Sequence, residues 1–428
     1  MSTGEPAGAS LTPADVADVQ RRTVWVLSIA QVLGGIAFGA TLSLGAVLAA
    51  DIAGDESLSG LAAAAVTFGT ALIAIPLARL AGLRGRRLSL ATGMMIALVG
   101  VVLVVIAVGV RSFPLLLVAF LLIGGGQAAN LQSRFAAADL ATDASRGRDL
   151  SFVVWATTVG AVLGPNLTGP GELVGGAIGM PPLTGPYVFT IVGQVLAIVL
   201  YFVALRPDPL LLAQRVVSQA SAAATTPAIA KPDRPRVARY AIFAVAAAHG
   251  VMVAVMAMTP VHLLHQGATL TVIGVTLSLH IAGMYALSPV FGILADRFGR
   301  IPTILLGQVI LAGALVTASF GQNSTFAVTI GLILLGLGWS ATTVAGSALL
   351  TEASSELRRT RRQGFSDFTM SMVAAIGAIL AGVILGWIGY GGLALLVGVA
   401  VVAVVALAPI GRISDSAPPV RRPRPARR

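Results

Sequence analysis

Gly292-Ile293-Leu294-Ala295-Asp296-Arg297-Phe298-Gly299-Arg300 gathers one carboxylate, two guanidiniums and two glycines between two apolar runs, 270–294 and 301–320. Glycine permits a tight turn and close approach of helices. The aspartate can pair with an arginine, or dock on the positive end of a neighbouring helix. A contact of that kind, made in one conformation and broken in another, is what a gate needs. An ordinary basic loop between two spans accounts for the same residues. The stretch has an echo half a chain away: Leu80-Ala81-Gly82-Leu83-Arg84-Gly85-Arg86 matches Leu294–Arg300 at an offset of 214 residues.

Apolar runs like those flanking this loop fill the chain. Of 428 residues, 56% are hydrophobic and 11% charged, against about 25% charged in a typical soluble protein. Twenty-eight basic and 17 acidic side chains cannot cover a soluble fold of this size, and the hydrophobicity excludes a disordered chain. The absence of cysteine excludes a disulfide scaffold, a thiolate zinc site and a cysteine nucleophile. About 20 apolar residues cross a bilayer core. Twelve segments meet or approach that length: 23–50, 57–78, 88–110, 112–138, 150–178, 186–205, 240–264, 270–294, 301–320, 325–351, 364–388 and 390–411. The spacers at 111 and 389 predict tight helical hairpins. No alternating barrel pattern occurs, and the polar start of the chain lacks a cleavage site, so no removable signal peptide is expected.

The net charge of +11 invites a nucleic-acid reading, but its distribution argues for a membrane. With the N-terminus inside, every basic residue except Arg111 falls in a cytoplasmic segment, as the positive-inside rule requires. The expected organisation is a cytoplasmic tail at 1–22, a six-helix bundle at 23–205, a cytoplasmic linker at 206–239, a second six-helix bundle at 240–411 and a basic tail at 412–428. Both ends are expected in the cytoplasm. The tail Arg421–Arg428 is suited to anionic headgroups, or serves as a topology determinant alone. Two further echoes support duplication: Gly124-Gly125-Gly126 with Gly336-Leu337-Gly338, and Gly160–Leu163 with Gly377–Leu380. The expected fold is thus an all-α membrane protein of 12 transmembrane helices, in two bundles related by a pseudo-two-fold axis.

The loop at 292–300 resembles the signature G-x-L-a-D-r-x-G-r-r of the major facilitator superfamily, and span count, halves and topology extend the resemblance over the whole chain. The resemblance implies two bundles rocking about a central cavity. It implies an inner gate built on Gly292, Asp296, Arg297, Gly299 and Arg300, with Asp296 docking near Asp149–Phe152 at the start of span 5. The first-half copy, Gly85, Arg86 and Arg87, departs from the pattern, because Gly82 stands where the aspartate is expected. Asp139 can supply a carboxylate to Arg86 or Arg87, with Arg134 near enough to compete. A purely local ion pair is the other reading. Glu352 is the second-half counterpart of Asp139. Gly160, Gly164 and Pro165 in span 5 resemble the G-x-x-x-G-P motif of the drug–proton antiporter branch, which implies export. Against that branch, Phe120 stands where its span 4 has an arginine, and span 1 has Gln31 rather than an acid.

No Asp, Glu, Lys or Arg is read in the middle of a span, which leaves His249 and His280 as proton-coupling candidates. A neutral histidine bonded between helices explains each equally well. The resemblance makes spans 1, 4, 7 and 10 the cavity walls. Their polar or adaptable residues are Gln31, Gln127, Asn130, Gln132, His249, Met252, Met256, Trp339, Thr342 and Thr343, with Trp155 and Tyr285 as possible additions. Amides, hydroxyls and methionines on apolar walls suit a neutral or weakly charged amphipathic molecule. Helix packing is the alternative for each. No catalytic constellation, metal set or phosphate-binding loop is present in the pattern, so neither an enzyme nor a cofactor is expected. The expected function is proton-coupled efflux of small amphipathic compounds across the plasma membrane. The alternative is uptake or facilitated diffusion of a neutral metabolite. A receptor or scaffold is disfavoured by the near-complete loop. The expected partners are a small-molecule substrate and membrane lipids, with no nucleic acid and the protein as a monomer.

Overall fold

The computed structural model describes residues 13–55, 58, 60–223 and 233–412. They form helices and turns, with no strand among the described residues. The first half contains α1 (Pro13–Ala53), α2 (Gly60–Arg84), α3 (Arg86–Gly109), α4 (Phe113–Ala137), α5 (Arg146–Asn166), α6 (Thr168–Ala177) and α7 (Tyr187–Ala204). A short α8 (Pro209–Ala223) follows within the stretch expected as linker. The second half contains α9 (Pro235–His265), α10 (Leu270–Tyr285), α11 (Ser288–Phe298), α12 (Arg300–Phe320), α13 (Thr325–Glu352), α14 (Glu356–Ala406) and α15 (Ala408–Arg412). The basic tail lies outside the described residues.

Nine helices among the described residues are long and apolar enough to cross a membrane, against twelve expected spans. The difference has local causes. Expected spans 11 and 12 form one helical run, α14, interrupted at Gly389 (φ 71°, ψ −179°). Expected span 5 is divided between α5 and the short α6, and α5 opens on Arg146, Arg148 and Asp149. The long α1 includes residues whose side-chain surroundings are not described.

Three glycines turn one helix directly into the next. Gly85 joins α2 to α3 (φ 88°, ψ 171°), Gly299 joins α11 to α12 (φ 100°, ψ 159°), and Gly389 divides α14. This backbone region is essentially closed to side-chain-bearing residues, so the two signature loops owe their reversal to glycine.

The halves repeat each other in packing. A Cβ on Gly93 of α3 would lie 2.9 Å from the Gly125 carbonyl oxygen of α4, and one on Gly307 of α12 would lie 2.9 Å from the Gly338 carbonyl oxygen of α13. Gly124 meets Thr70 of α2 as Gly336 meets the His280 carbonyl of α10. Helices in lipid gain little from burying apolar surface, so such close backbone contact is a principal source of their cohesion.

The halves meet along α2 with α14, and along α5 with α10 and α11. Named contacts lie at the arginine-rich ends of these helices, called here the basic face. Gly82 abuts Thr360, Gly364 abuts Ala78, and Gly292 abuts Gly147 and Ser151. Two apolar clusters cross the divide. Phe135 packs with Ala241, Ala295 and Leu350, and Ala138, Leu150 and Val154 pack in a cluster with Met252, Tyr285 and Trp339.

Candidate functional site

The loop at 292–300 clasps the opposite half. Asp296 accepts hydrogen bonds from the backbone N–H groups of Gly147 and Arg148, each 2.8 Å. These are first-turn amides of α5, which have no partner inside their own helix and lie at the positive end of its dipole. The dock is thus slightly earlier in the chain than Asp149–Phe152. Arg300 pairs with Asp296, donates to the Asp143 carbonyl oxygen at 2.8 Å and reaches Glu352 at 3.4 Å. Gly292 makes the approach possible, since a Cβ there would lie 2.1 Å from Ser151 Oγ. Arg297 turns away, with its guanidinium 5.6 Å from the Phe298 ring centroid.

The first-half copy is rebuilt without its aspartate. Arg86 is fully buried and holds Asp139 through Nε at 2.7 Å and Nη2 at 3.2 Å. It has the place in this half that Arg300 has beside Glu352 in the other. The same Nη2 donates to Gln363 Oε1 of α14 at 2.6 Å, so the local pair also reaches across the divide. Arg134 does not compete for Asp139. Its Nη2 meets Asp367 Oδ1 of α14 at 2.5 Å, with the two side chains 3% and 0% exposed. Asp367 Oδ2, Arg134 Nε and Arg86 Nη1 are buried with no partner among the described residues. Arg87 uses its backbone N–H rather than its guanidinium, donating to Asp208 at 2.7 Å. Asp367 is a buried carboxylate near the start of an expected span, outside the mid-span stretches in which the sequence holds no Asp, Glu, Lys or Arg. Asp367 is four residues into 364–388, and its acidic side chain is the signal that could have found it.

The linker is fastened at both ends by carboxylates. Asp208 accepts from the Leu210 and Leu211 amides of α8 at 3.0 and 3.2 Å, besides the Arg87 amide. Asp233 accepts from the Ser355 N–H at the start of α14 and pairs with Arg362 at 2.7 Å and Arg358 at 2.9 Å. Partial burial works against the charge of Asp233, but the Ser355 amide and the two arginines outweigh it and hold its carboxyl below the usual carboxylate range.

Above this closed face, the cavity candidates divide. Trp339 Nε1 donates to His249 Nδ1 at 2.8 Å, and Tyr285 packs edge-on against Trp339 at 5.8 Å between centroids. This brings α9, α10 and α13 together. Met252 is buried in the same cluster and Met256 packs at its edge. Gln127 is half-buried, while Asn130 and Thr343 are buried with Asn130 Oδ1 and Thr343 Oγ1 lacking partners among the described residues. Others are held in packing contacts. Gln31 donates to the Asn130 carbonyl oxygen at 3.3 Å and Thr157 at 3.2 Å. Gln132 donates to the Ala74 carbonyl oxygen at 3.0 Å, and Thr342 accepts from Gln308 at 2.9 Å. His280 is fully buried with Nδ1 2.7 Å from the Leu332 carbonyl oxygen, pinning α10 to α13. Gly160 seats α5 on α1, where a Cβ would lie 2.4 Å from the Val32 carbonyl oxygen. Gly164 and Pro165 fall among residues whose side-chain surroundings lie outside the described set. Among the described residues, no cluster of His, Asp and Glu could hold a metal.

Two helical halves that repeat each other's glycine packing and meet through polar contacts at one face are the arrangement expected of a membrane transporter. The family model described as Major Facilitator Superfamily matches residues 27–267 and 240–428. The chain belongs to that superfamily, a family of transporters and not of enzymes. It is 34% identical over 402 residues to "Uncharacterized MFS-type transporter YddS" of Bacillus subtilis (strain 168), covering 91% of each chain. It is 28% identical over 386 residues to "Riboflavin transporter RfnT" of Brucella anthropi, covering 87% of this chain and 92% of the relative. Among solved structures, the human organic anion transporter MFSD10 aligns with a TM-score of 0.74 at 16% identity, over 91% of this chain and 99% of that one. The transporter FucP in the outward conformation aligns with a TM-score of 0.64 at 15% identity, over 91% and 99%. These two likenesses show the fold.

Proposed function

We propose that the protein is a secondary active transporter of the plasma membrane that exports small amphipathic compounds in exchange for protons by alternating access. The observation that carries this reading is the pair of cross-half locks at the basic face, Asp296 on the α5 amides and Arg134 on Asp367. Both are polar contacts that part without loss of covalent or helical structure. Arginines mark the cytoplasmic side, so the described conformation is closed to the cytoplasm, and both chain ends lie there. The transporter works as a monomer, with each half moving as a body.

Protons have two places to act. His249 Nδ1 accepts from Trp339, so a proton arriving at Nδ1 displaces that hydrogen bond and frees the indole. Asp367 takes a proton when the halves part and Arg134 withdraws. His280 keeps its place as a candidate through its Nε2, which has no partner among the described residues, although its other nitrogen serves packing. The span-5 glycines and proline support export, and the apolar, methionine-containing walls support an amphipathic cargo.

The test uses a host stripped of its own efflux pumps. Accumulation of a panel of amphipathic dyes and drugs is expected to fall when the protein is present, and a proton uncoupler is expected to abolish the difference. A difference that survives the uncoupler would remove proton coupling. No difference across the panel would favour the second reading, uptake of a neutral metabolite. That reading draws on the riboflavin transporter among the relatives, so riboflavin uptake belongs in the same assay.

A further inference from the structure

On the outside of the second half, α9 and both limbs of α14 enclose a groove of about 410 Å³. Its walls are Ile242, Phe243 and Ala246 of α9, Phe365 and Val373 of the first limb, and Ala400 of the second. The chemistry changes at the end nearest the basic face, where Arg239 lines the groove. Helical spacing puts more charge there. Arg236 and Arg239 precede Phe243 at intervals of three and four residues, and Arg361 stands four residues before Phe365, on the face that continues through Thr369 and Val373. Gly250 abuts Val373, which sets α9 and α14 level and brings Arg236, Arg239 and Arg361 to one height.

These three arginines are exposed; among the described residues none has an acidic partner, and Arg239 Nε donates to the neutral Pro235 carbonyl oxygen at 3.4 Å. Their neighbours on α14 are otherwise committed: Arg358 and Arg362 to Asp233, and Arg359 to Glu356. The outcome is an apolar slot open to the acyl region of a bilayer, capped at headgroup depth by three unneutralised guanidiniums. We infer that this groove is a binding site for an anionic glycerophospholipid, one acyl chain lying along Phe243, Phe365 and Val373 and the phosphodiester held by Arg239 with Arg236 and Arg361. Guanidinium pairs with phosphate in forked geometry, and a zwitterionic lipid offers the same phosphate with its charge cancelled. The site touches neither cross-half lock, so it stands whether transport is outward or inward.

The experiment is native mass spectrometry of the full-length protein, purified in detergent, stripped of co-purified lipid, and offered equal amounts of dioleoyl-phosphatidylglycerol and dioleoyl-phosphatidylcholine. Phosphatidylglycerol is expected to be retained preferentially as one bound molecule. Since each arginine near an anionic headgroup contributes about fivefold in affinity, Arg239→Gln is expected to weaken retention about fivefold and the Arg236→Gln/Arg239→Gln/Arg361→Gln variant roughly 100-fold. Thr369→Trp, which fills the slot and leaves the arginines, is expected to lower retention as well. Arg79→Gln, at an exposed arginine of the other half, is expected to leave it unchanged. Equal retention of the two lipids would overturn the inference. So would a triple variant that binds as the unsubstituted protein does, or an Arg79→Gln variant that loses as much as Arg239→Gln, which would mean bulk charge rather than a site.

Discussion

Replacing Asp296 by asparagine tests the lock with little change of shape. The carboxylate receives two backbone N–H groups at 2.8 Å and the Arg300 guanidinium. Asparagine keeps one acceptor oxygen, but its NH2 then faces an amide donor, and Arg300 keeps Glu352 at 3.4 Å as a counter-charge. A hydrogen bond to a charged group contributes about 1.5–3 kcal/mol and a neutral one about 1 kcal/mol, so the substitution is expected to weaken closure by about 2 kcal/mol. With 1.4 kcal/mol to each factor of ten, the ratio of open to closed basic face rises roughly 30-fold. The chain contains no cysteine, so a Leu83→Cys/Leu357→Cys pair takes two spin labels without background. Both positions are exposed, at 81% and 95%, and they flank the contact of Gly82 with Thr360 across the divide. Double electron–electron resonance is expected to show a short distance in the parent and a grown longer component with Asp296→Asn. The amount of protein in the membrane should be unchanged and transport turnover reduced. Identical distance distributions together with normal turnover would refute the gating role.

Asp367→Asn leaves Arg134 buried without its counter-charge, a change expected to cost about 3–5 kcal/mol, read as a lowered unfolding temperature in detergent. The Arg134→Gln/Asp367→Asn double variant should lose clearly less than the sum of the singles; additive losses would mean the two side chains do not act as a pair. Gly292→Leu drives a side chain into Ser151 Oγ, only 2.1 Å from where its Cβ must lie. It is expected to hold the basic face open with the protein still inserted, so an unaltered short distance between the 83 and 357 labels would contradict the dovetail. Gly85→Ala forces a side chain into φ 88° and against the Asp208 carboxylate at 2.4 Å. A cost of about 1–3 kcal/mol is expected, and an unfolding temperature equal to the parent's would show that the turn relaxes.

Much of this was legible because it depends on short-range pattern. Apolar length, arginine placement and the half-chain echo lead to a duplicated helical membrane protein, and the loop at 292–300 leads to Asp296 as a cross-half clasp. What escaped depends on which residues become neighbours in space. Asp367 carries no motif, and one charge near the start of an apolar run reads as a boundary residue. Only the approach of α14 to α4 makes it the partner of Arg134. Asp208 and Asp233 lie in a stretch whose composition signals a loose linker, yet each caps a helix start. The split of the polar cavity candidates was equally out of reach. Spacing puts Gln31, Gln132 and Thr342 on the right helices, but not whether each faces a neighbour or the cavity.

The two locks differ in what their opening releases. When Asp296 leaves α5, one carboxylate regains water and two peptide N–H groups are exposed, while Arg300 stays beside it on the same half. When Arg134 leaves Asp367, two fully buried opposite charges regain hydration together, each having lacked part of its hydrogen bonding while closed. Desolvation offsets much of the Coulombic attraction of such a pair. Its net hold on the closed face is therefore smaller than its 2.5 Å separation suggests. With Gly82 standing where the signature has its aspartate, the first half meets the other through a contact nearer to balance than a carboxylate-on-helix dock. Small changes in hydration or charge around α4 and α14 move that balance further than they move the dock on α5. In the proposed alternating-access cycle, this asymmetry is expected to give the first-half contact the lower opening threshold and the second-half contact the greater share of the closing energy.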